Sequence, residues 1–294
     1  MSRSGFVAVA GRPNAGKSTL VNAIVGAKVA IVSDKPQTTR RAIRGIATTP
    51  DWQLVLVDLP GVQRPRDPLT ERMQRSVERE LADSDAAVFV LNGEQEVGAG
   101  DRFMARALAG AGLPCVMAVN KVDRLDRART AAALSAAAGL GLEGEIFPVS
   151  AKTGAGMGPL LEQIVALVPE GPFLYPPEDT SDLPEHVRLA ELVREQVLRR
   201  TREELPHAVE VEVEGVEDRG EGRPLVVRAL IWAETDSQKG ILVGAGGRMV
   251  KAIGTAARKE IERSTARRVH LALNVRVRKG WRRDDGLLDR LGID

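Results

Sequence analysis

Cysteine, histidine and aromatic residues are scarce in this sequence of 294 residues. It has one cysteine, Cys115, and three widely separated histidines, His186, His207 and His270. A single cysteine excludes an internal disulfide and a cysteine-based metal site, and its place in an apolar run predicts a buried thiol. Aromatic residues make up only 3% of the chain. We therefore do not expect a stacking platform for nucleic-acid bases.

Long hydrophobic runs are also missing. No stretch approaches the roughly 18–20 apolar residues of a membrane span, and the sequence does not start with a charged and then apolar leader. We therefore expect a cytosolic protein. The net charge is +2, and the chain is long enough for two domains of ordinary size, each with its own core.

Over the first 170 residues, short apolar runs alternate with stretches of helical spacing, such as the repeat of apolar residues at every fourth position in 69–81. Strands that alternate with helices predict an α/β fold whose mostly parallel sheet is covered on both faces. In such sheets ligands bind at the carboxyl ends of the strands, so the residues after each run are the candidates for a site. The runs are Phe6–Ala10, Leu54–Val57, Ala86–Leu91, Val116–Val119 and Ile146–Val149.

The first apolar run leads into the pattern Gly-x-x-x-x-Gly-Lys-Ser at residues 11–18, which a helical pattern follows. In this context the pattern predicts a phosphate-binding loop, because glycines let backbone N–H groups turn toward an anion and the helix start adds its positive dipole end. We expect Lys17 to reach the outer phosphates and Ser18 to hold Mg²⁺. The predicted nucleotide-binding residues of this loop are Asn14, Ala15, Gly16, Lys17, Ser18 and Thr19.

The second apolar run leads into Asp58-Leu59-Pro60-Gly61. An aspartate at this strand end is placed to hold Mg²⁺, and the N–H of Gly61 can approach a terminal phosphate. The polar residues 33–40 contain paired threonines, of which we expect Thr39 to complete the Mg²⁺ shell only when a third phosphate is present. Segments 33–40 and 62–68 are the predicted nucleotide-dependent switches. The residues assigned to catalysis are Lys17, Thr39 and Gly61.

The fourth apolar run leads into Asn120-Lys121-Val122-Asp123. Guanine presents two adjacent donors, its ring N1–H and its amine, and one ionised carboxylate accepts from both. Asp123 is therefore predicted to select guanine, while Asn120 and Lys121 hold the base plane and the loop. The residues after the fifth run, where a backbone N–H can bind guanine O6, are Ser150, Ala151 and Lys152.

These stretches resemble, in type and order, the motifs of the translation-factor-like GTPases. One position departs from the Ras-like pattern, because Val62 stands where those proteins carry a water-orienting glutamine. Val62 cannot polarise water, so unaided hydrolysis should be slow and should rely on the backbone, another residue, a cation or a partner. Asn14 resembles the residue that helps some of these relatives to bind potassium. The expected cofactors are GTP or GDP and Mg²⁺, with K⁺ as a candidate.

A second domain follows a proline-rich stretch. Residues 169–184 contain five prolines without periodicity, which predicts a linker at 171–183 between a GTPase domain at 1–170 and a smaller domain at 184–294. The second domain reads helix, strand, strand, helix, a Gly-x-x-Gly loop at 244–247, helix and strand. It resembles an α+β KH domain of the bacterial type (type II), whose loop of small residues lets a nucleic-acid backbone approach two helix ends.

The charge of this second domain supports nucleic-acid binding. From Gly244 to Arg283, twelve basic residues less two acidic ones give a net charge of +10, so the rest of the chain carries −8. A basic stripe on an otherwise acidic protein is typical of nucleic-acid binding. The apolar residues that we expect to hold bases are Ile241, Leu242, Val243, Val250 and Ile253. The predicted RNA-binding residues are Gly244, Ala245, Gly246, Gly247, Arg248, Lys251, Arg258, Lys279 and Arg282.

A guanine-nucleotide domain joined to a C-terminal KH domain is similar to the Era family of bacterial GTPases over essentially the full length. The stretches Gln37–Arg40 and Lys279–Arg282 also resemble that family. The resemblance implies a slow GTPase switch that binds the 3′ end of small-subunit ribosomal RNA and assists assembly of the small ribosomal subunit. It also implies a cytoplasmic monomer, with weak peripheral association with the inner face of the cell membrane as an additional expectation.

Two other functions are compatible with the nucleotide motifs. One is a GTP-binding adaptor or membrane-associated regulator with negligible intrinsic hydrolysis. The other is the GTPase component of a tRNA-modifying enzyme, but that group carries a cysteine at its C-terminal end and lacks a KH domain. Because the only cysteine here is Cys115, this last function is disfavoured.

Overall fold

The computed structural model describes residues 2–35, 37–61, 65–218, 220 and 222–293. Val62, at which we expect the departure from the Ras-like pattern, lies outside these residues. The chain forms two compact units. Unit 1 consists of Met1–Ala30, Thr39–Arg66 and Thr70–Asp182, and unit 2 consists of Ile31–Thr38, Asp67–Leu69 and Leu183–Asp294.

Unit 1 contains a six-stranded, mostly parallel sheet. Its strands are β1 (Arg3–Ala10), β2 (Ile43–Thr48), β3 (Trp52–Asp58), β4 (Ala86–Asn92), β5 (Cys115–Asn120) and β6 (Ile146–Pro148). They lie in the order β2-β3-β1-β4-β5-β6, and β2 alone pairs antiparallel with its neighbour. The five predicted strands are confirmed. The sequence did not predict β2, because Arg44 and Gly45 interrupt its apolar residues.

Helices cover both faces of this sheet, as the alternating pattern predicts. In β1, Val7 and Val9 face the core that contains Leu20 and Leu160, whereas Ala8 and the other alternate residues face a second core. Alternate residues of this strand therefore pack into two different hydrophobic cores. The helices are α1 (Lys17–Val25), α2 (Pro68–Ala82), α3 (Ala99–Ala111), α4 (Arg127–Ala138) and α5 (Met157–Leu167).

Cys115 begins β5 and lies in the second of these cores. Burial raises the pKa of its thiol to about 11, so the side chain stays protonated at neutral pH. The prediction of a buried thiol is confirmed.

The proline-rich stretch is ordered along unit 1. The side-chain oxygen of Gln53 accepts hydrogen bonds from the backbone N–H groups of Leu174 (2.7 Å) and Tyr175 (2.9 Å). The N–H of Ile46 donates to the carbonyl of Thr180 at 2.8 Å. These contacts place the stretch with unit 1 as far as Asp182. The domain limits drawn from the sequence stay a prediction.

The elements of unit 2 are α6 (Glu185–Arg200), α7 (Leu205–Ala208), β7 (Glu210–Glu217), β8 (Leu225–Ala233), α8 (Asp236–Val243), α9 (Arg248–Thr265), β9 (Val269–Val277) and α10 (Asp285–Arg290). They follow the predicted order of helices and strands, and the two short helices α7 and α10 are additions that the sequence did not predict. The three-stranded sheet has the order β7-β8-β9, with β7 antiparallel and β9 parallel to the central strand, and helices α6 and α9 contribute to the same hydrophobic core.

Helix α6 differs from its sequence pattern. Its apolar spacing predicts an amphipathic helix, and in the structure every residue from Leu189 to Leu198 is buried. The buried set includes charged side chains, among them Arg194 and Glu195. The polar side of this stretch is therefore buried as well, because these charged groups find ion-pair and hydrogen-bond partners inside the fold.

Candidate functional site

The loop between β1 and α1 has the geometry of an anion site. Gly16 precedes α1 with a φ of +98°, and a Cβ at this position would lie 2.2 Å from Nδ2 of Asn120. Only glycine fits both constraints. The loop therefore leads without a side-chain obstruction into the helix start, whose free N–H groups favour an anion such as phosphate.

Lys17 is held within the loop that it follows. Its side chain is buried, and its Nζ donates to the carbonyl oxygens of Gly11 (3.0 Å) and Arg12 (3.1 Å). Burial lowers the pKa of this ammonium, and the nearby charge of Asp58 opposes that effect. The amine thus lies along the phosphate loop, where the sequence predicts it.

The three predicted Mg²⁺ ligands converge at one point. The Oγ of Ser18 donates to Oδ2 of Asp58 at 2.6 Å, and the Oγ1 of Thr39 lies 3.3 Å from each of those two atoms. Asp58 is fully buried at the end of β3. Two hydroxyls and a carboxylate form the hard oxygen set that Mg²⁺ prefers, so the donor set fits this ion.

Asn120 joins three loops on the other side of the site. At the end of β5, its Nδ2 donates to the carbonyl of Ala15 (3.0 Å). Its Oδ1 accepts from the backbone N–H groups of Lys121 (2.8 Å) and Ala151 (3.0 Å). A single amide therefore fixes the phosphate loop relative to both predicted guanine-binding stretches.

Asp123 carries the exposed carboxylate that guanine recognition requires. Its Oδ1 accepts a hydrogen bond of 2.6 Å from Oγ of Ser150. This hydrogen bond is the main reason that the pKa of Asp123 is lowered, and the charges of Arg124 and Lys152 act in the same direction. The carboxylate is therefore ionised at neutral pH, as a partner for two donors must be.

The remaining predicted residues also lie around this edge. Gly61 lies against the phosphate loop, because a Cβ added at this glycine would be 2.8 Å from Cγ of Pro13. Asn14 has a left-handed φ of +63°, and Thr19 follows the metal-set serine in the first turn of α1. Lys152 lies in the turn after β6. The individual roles, including the K⁺ site at Asn14, stay predictions.

An ion pair that sequence reasoning missed supports the phosphate loop. The Nε of Arg12 lies 2.9 Å from Oδ1 of Asp101, and the Asp101 side chain is 2% exposed. Asp101 lies in the first turn of α3, where its Oδ2 also accepts from the N–H of Gly98 at 2.8 Å. No local pattern connects residues 89 positions apart, so this pair had no sequence signal.

Two further residues could have been found by the rule used above. Asn92 and Glu94 follow the third apolar run, at the carboxyl end of β4. The Nδ2 of Asn92 donates to the carbonyl of Asn14 at 3.4 Å, and Oε2 of Glu94 lies 3.4 Å from Nζ of Lys121. They support the phosphate loop and the guanine-side lysine respectively.

The Gly-x-x-Gly loop of unit 2 is an open turn between α8 and α9. The N–H of Gly244 bonds to the carbonyl of Gly240 (2.9 Å), and the N–H of Gly247 bonds to the carbonyl of Gly244 (3.0 Å). Gly247 precedes α9 with a φ of +77°. The side chain of Arg248 turns back to the carbonyl of Ala245 at 3.2 Å. This loop therefore presents a helix N-terminus beside a basic side chain.

Helix α9 separates basic and apolar residues onto two sides. Ile253, Ala257 and Ile261 are fully buried, whereas Lys251 and Arg258 are exposed. The spacing of four residues places the buried residues on one stripe of the helix, so the basic residues remain available to a polyanion.

The apolar residues expected to hold bases divide in the same way. Leu242 and Ile253 are fully buried in the hydrophobic core, so the prediction that they contact bases is wrong. Ile241, by contrast, is 52% exposed next to the loop. An apolar side chain on α8 or α9 that packs into the hydrophobic core is not available to contact a base.

The two basic residues predicted near the C-terminus differ in their surroundings. Lys279 is exposed. The guanidinium of Arg282 donates from Nε to Oδ2 of Asp67 (2.6 Å) and from Nη1 to the carbonyl of His207 (2.8 Å). Arg282 is thus engaged inside unit 2, and RNA contact by either residue stays a prediction.

A phosphate loop, an oxygen-rich metal set and a guanine-directed carboxylate on a mostly parallel sheet define a P-loop GTPase, and the α+β unit with its Gly-x-x-Gly loop defines an attached KH domain. Comparison with family models agrees. Residues 6–121 match the family described as 50S ribosome-binding GTPase, and residues 204–282 match the KH domain.

The chain belongs to the Era family of GTPases. It is 46% identical over 301 residues to GTPase Era of Nocardioides sp., with 99% of this chain and 96% of that protein covered. It is 41% identical over 292 residues to GTPase Era of Heliobacterium modesticaldum, with 99% and 97% covered. The chain is therefore a GTP-hydrolysing enzyme.

Two solved structures are similar over the full length. One is a crystal structure of Era in complex with MgGDPNP and nucleotides 1506–1542 of 16S ribosomal RNA, with a TM-score of 0.94, 32% identity, and 100% of this chain and 99% of that chain covered. The other is an Aquifex aeolicus Era variant bound to GDP·AlF4⁻, with a TM-score of 0.94, 31% identity and 99% of each chain covered. The predicted fold class is confirmed.

Proposed function

We propose that this GTPase is a switch that binds the 3′ end of small-subunit ribosomal RNA and assists assembly of the small ribosomal subunit. One observation carries the proposal: a chain with a convergent guanine-nucleotide site also presents an exposed Gly-x-x-Gly loop at the start of a basic helix. The similar Era structure with nucleotides of 16S ribosomal RNA supports the choice of RNA.

The nucleotide side follows from the convergent residues. The first turn of α1 binds phosphate oxygens through its N–H groups, and Asp123 accepts hydrogen bonds from guanine. Ser18, Thr39 and Asp58 would hold Mg²⁺, which neutralises charge on the phosphates when it is bound. Thr39 would bind Mg²⁺ only when a third phosphate is present. The backbone around Thr39 therefore has different conformations with GTP and with GDP.

Slow hydrolysis is part of this proposal. Val62 has no group that orients water, so the rate without a partner should be low. Steady-state phosphate release, measured with and without RNA and with K⁺ or Na⁺, separates the switch from a GTP-binding adaptor. Release that RNA or K⁺ accelerates supports the switch, whereas no release under any of these conditions favours the adaptor.

The RNA side follows from the open loop and from α9. The N–H groups at the start of α9, together with Arg248 and Lys251, bind backbone phosphates, and the exposed Ile241 offers an apolar contact to a base. The loop glycines carry no side chains, so the RNA backbone can come close to the helix end.

Placing two carboxylates in this loop tests the RNA side. The double variant Ala245→Asp/Gly246→Asp should bind a labelled RNA of the 3′ end about 100-fold more weakly, because the new charges repel phosphates. Asp is tolerated at the left-handed φ of +59° of Gly246. The matched control, Ala131→Asp/Ala132→Asp on the exposed side of α4, adds equal charge and should leave RNA affinity within about twofold. Equal losses in both variants would contradict the proposed RNA site.

The switch itself is tested with the unmodified protein. RNA affinity should be higher with a GTP analogue than with GDP, and ATP should not compete for the nucleotide site. RNA affinity that is independent of the nucleotide, or competition by ATP, would overturn the switch.

We place this activity in the cytoplasm, where bacterial ribosomal subunits are assembled. Across the described ranges, no helix is both long enough and apolar enough to cross a bilayer. Weak association with the membrane surface and a monomeric state are part of the proposal. Co-sedimentation with anionic vesicles and the mass of the protein in solution test them.

A further inference from the structure

A cluster of buried charges lies on helix α6 in unit 2. Arg194 and Glu195 are fully buried, Glu191 is 3% exposed, and Glu210 at the start of β7 is 1% exposed. Taking such groups out of water is costly, and an apolar set of the same volume would often be at least as stable. Their presence therefore needs an explanation beyond the stability of the core.

The cluster keeps its arginine charged and fixed. The Nη2 of Arg194 lies 2.9 Å from Oε2 of Glu191, and its Nε lies 3.4 Å from Oε1 of Glu210. Burial by itself would lower the pKa of Arg194, but the two carboxylates outweigh this effect and raise it. Nη2 carries two N–H groups, and the one that Glu191 does not use has a single direction in the planar guanidinium in which to donate.

That direction is the backbone of Ile31–Thr38, a segment of the same unit. The Nη2 of Arg194 donates to the carbonyl oxygen of Thr38. The next residue of the helix, Glu195, accepts from the N–H of Val32 at 3.1 Å. Two adjacent side chains of α6 thus bind the two ends of this segment, one as donor and one as acceptor.

The segment needs such partners, because its described residues form neither a helix nor a strand. Buried backbone N–H and C=O groups that are not hydrogen-bonded within a helix or sheet need hydrogen-bond partners elsewhere. Within the segment, Oγ1 of Thr38 donates to the carbonyl of Lys35 at 2.6 Å, which closes a local turn. The position of Thr38 is therefore set from two sides.

Thr38 precedes Thr39, whose hydroxyl belongs to the candidate Mg²⁺ set. The peptide group that joins them is planar, so the direction of the Thr38 carbonyl also fixes the direction of the Thr39 nitrogen. We infer that Arg194 is a positioning residue for GTP hydrolysis, which orients the Thr38–Thr39 peptide so that Thr39 can act as a metal ligand. This inference rests on the role proposed for Thr39.

The expected effect is selective for the triphosphate. Thr39 serves the metal only when a third phosphate is bound, so a loosened peptide should not affect GDP. The substitution Arg194→Lys keeps a positive charge beside Glu191 and Glu210 but lacks the planar fork that reaches the carbonyl. Arg200→Lys is the matched control. Arg200 lies on the same helix, and among the described residues its guanidinium donates only to Gln196.

The test measures three quantities in the full-length protein: GDP affinity, the Mg²⁺ concentration that half-saturates binding of a GTP analogue, and the single-turnover rate of hydrolysis. For Arg194→Lys we expect the Mg²⁺ requirement to rise and the rate to fall, each about tenfold, with GDP affinity unchanged within about twofold. Arg200→Lys should match the unmodified protein in all three.

A double-mutant cycle with Thr39→Ala separates the possible failures. If Arg194 acts through Thr39, the double variant should be no worse than Thr39→Ala alone. A normal Mg²⁺ requirement and rate in folded Arg194→Lys would overturn the inference, as would an equal loss of GDP and GTP-analogue binding, which marks a merely structural role. If Thr39→Ala itself had no effect, the proposed role of Thr39 would fail, and the inference with it.

Discussion

Two glycine loops in this molecule lead into the start of a helix, and they are built in opposite ways. The loop that ends at Gly16 is braced from outside, because the side chains of Asn120 and Arg12 tie it to distant parts of unit 1. In the described part of the chain, the hydrogen bonds given for the loop that ends at Gly247 are local, to Gly240, to its own turn and to Arg248. A Cβ at Gly247 would meet nothing within 4 Å, whereas at Gly16 it would collide with Asn120.

The difference shows how one backbone device serves two kinds of anion. A nucleotide has a fixed shape, so its phosphates are bound best by N–H groups that are held rigidly before the ligand arrives. An RNA strand is long and varied, so its loop must stay open, and nearby basic side chains supply long-range attraction. Both loops have glycines before a helix, but the side chains that hold each loop determine which kind of anion it suits.

The strongest test of this comparison is the same substitution in both loops. Gly16→Ala should reduce GDP affinity by at least about 1000-fold, because the new methyl group meets Asn120 and the left-handed backbone is strained. Gly247→Ala adds only the backbone strain and should weaken RNA binding by about fivefold to tenfold. Calorimetric titration with GDP and RNA anisotropy measure the two effects. A Gly16→Ala variant that binds GDP normally would remove the distinction between the loops.

Asp123→Asn tests whether the rigid site reads the base. The amide cannot accept from both guanine donors, so GDP affinity should fall about 100-fold. Xanthosine diphosphate should bind better than it does to the unmodified protein, because the amide N–H can donate to the extra carbonyl of xanthine.

Asp126→Asn is the control for this change, since Asp126 caps α4 and asparagine is an equally good cap. Equal losses of GDP affinity in the two variants would show that Asp123 does not read guanine.

The double variant Arg248→Gln/Lys251→Gln tests the open loop by charge. RNA affinity should fall about tenfold to fiftyfold, and the slope of log affinity against log salt should decrease by about 1.4 for two lost phosphate contacts. GDP affinity should not change. The control Arg127→Gln/Arg129→Gln removes two exposed charges from α4. An unchanged salt slope in the first variant would place the phosphate contacts elsewhere.

The smallest expected effect concerns the acidity of Asp123. Its pKa is lowered mainly by the hydrogen bond from Ser150, so the ionised form that accepts from guanine persists to low pH. Ser150→Ala should raise this pKa, and the fall in GDP affinity on acidification should then begin at higher pH. Titrations from pH 7 to about pH 4 measure this onset. If GDP affinity falls over the same acidic pH range in both proteins, the hydrogen bond from Ser150 is not what lowers the pKa of Asp123.

Much of the nucleotide site could be predicted from the sequence, because phosphate and guanine chemistry require particular residue types at strand ends. The closeness of Ser18 and Asp58 follows from that rule together with a parallel sheet. Thr39 follows no strand, and it reaches these two residues from the segment between α1 and β2. Asn92 and Glu94 obeyed the same rule and were overlooked. The Arg12–Asp101 pair had no local signal, because neither residue lies in a recognisable pattern with the other.

The sequence by itself determined the two glycine loops, the alternation of strands and helices and the basic stripe, since each depends on neighbouring residues. Only the tertiary structure decided that Leu242 and Ile253 belong to the core and that Arg194 is buried against the backbone of Thr38. The reason is physical: a charged residue in a helix is expected to face water unless enough partners surround it. Glu191 is near Arg194 in the sequence, but Glu210 and the carbonyl of Thr38 come from other parts of the chain. Those partners exist only after the chain has folded.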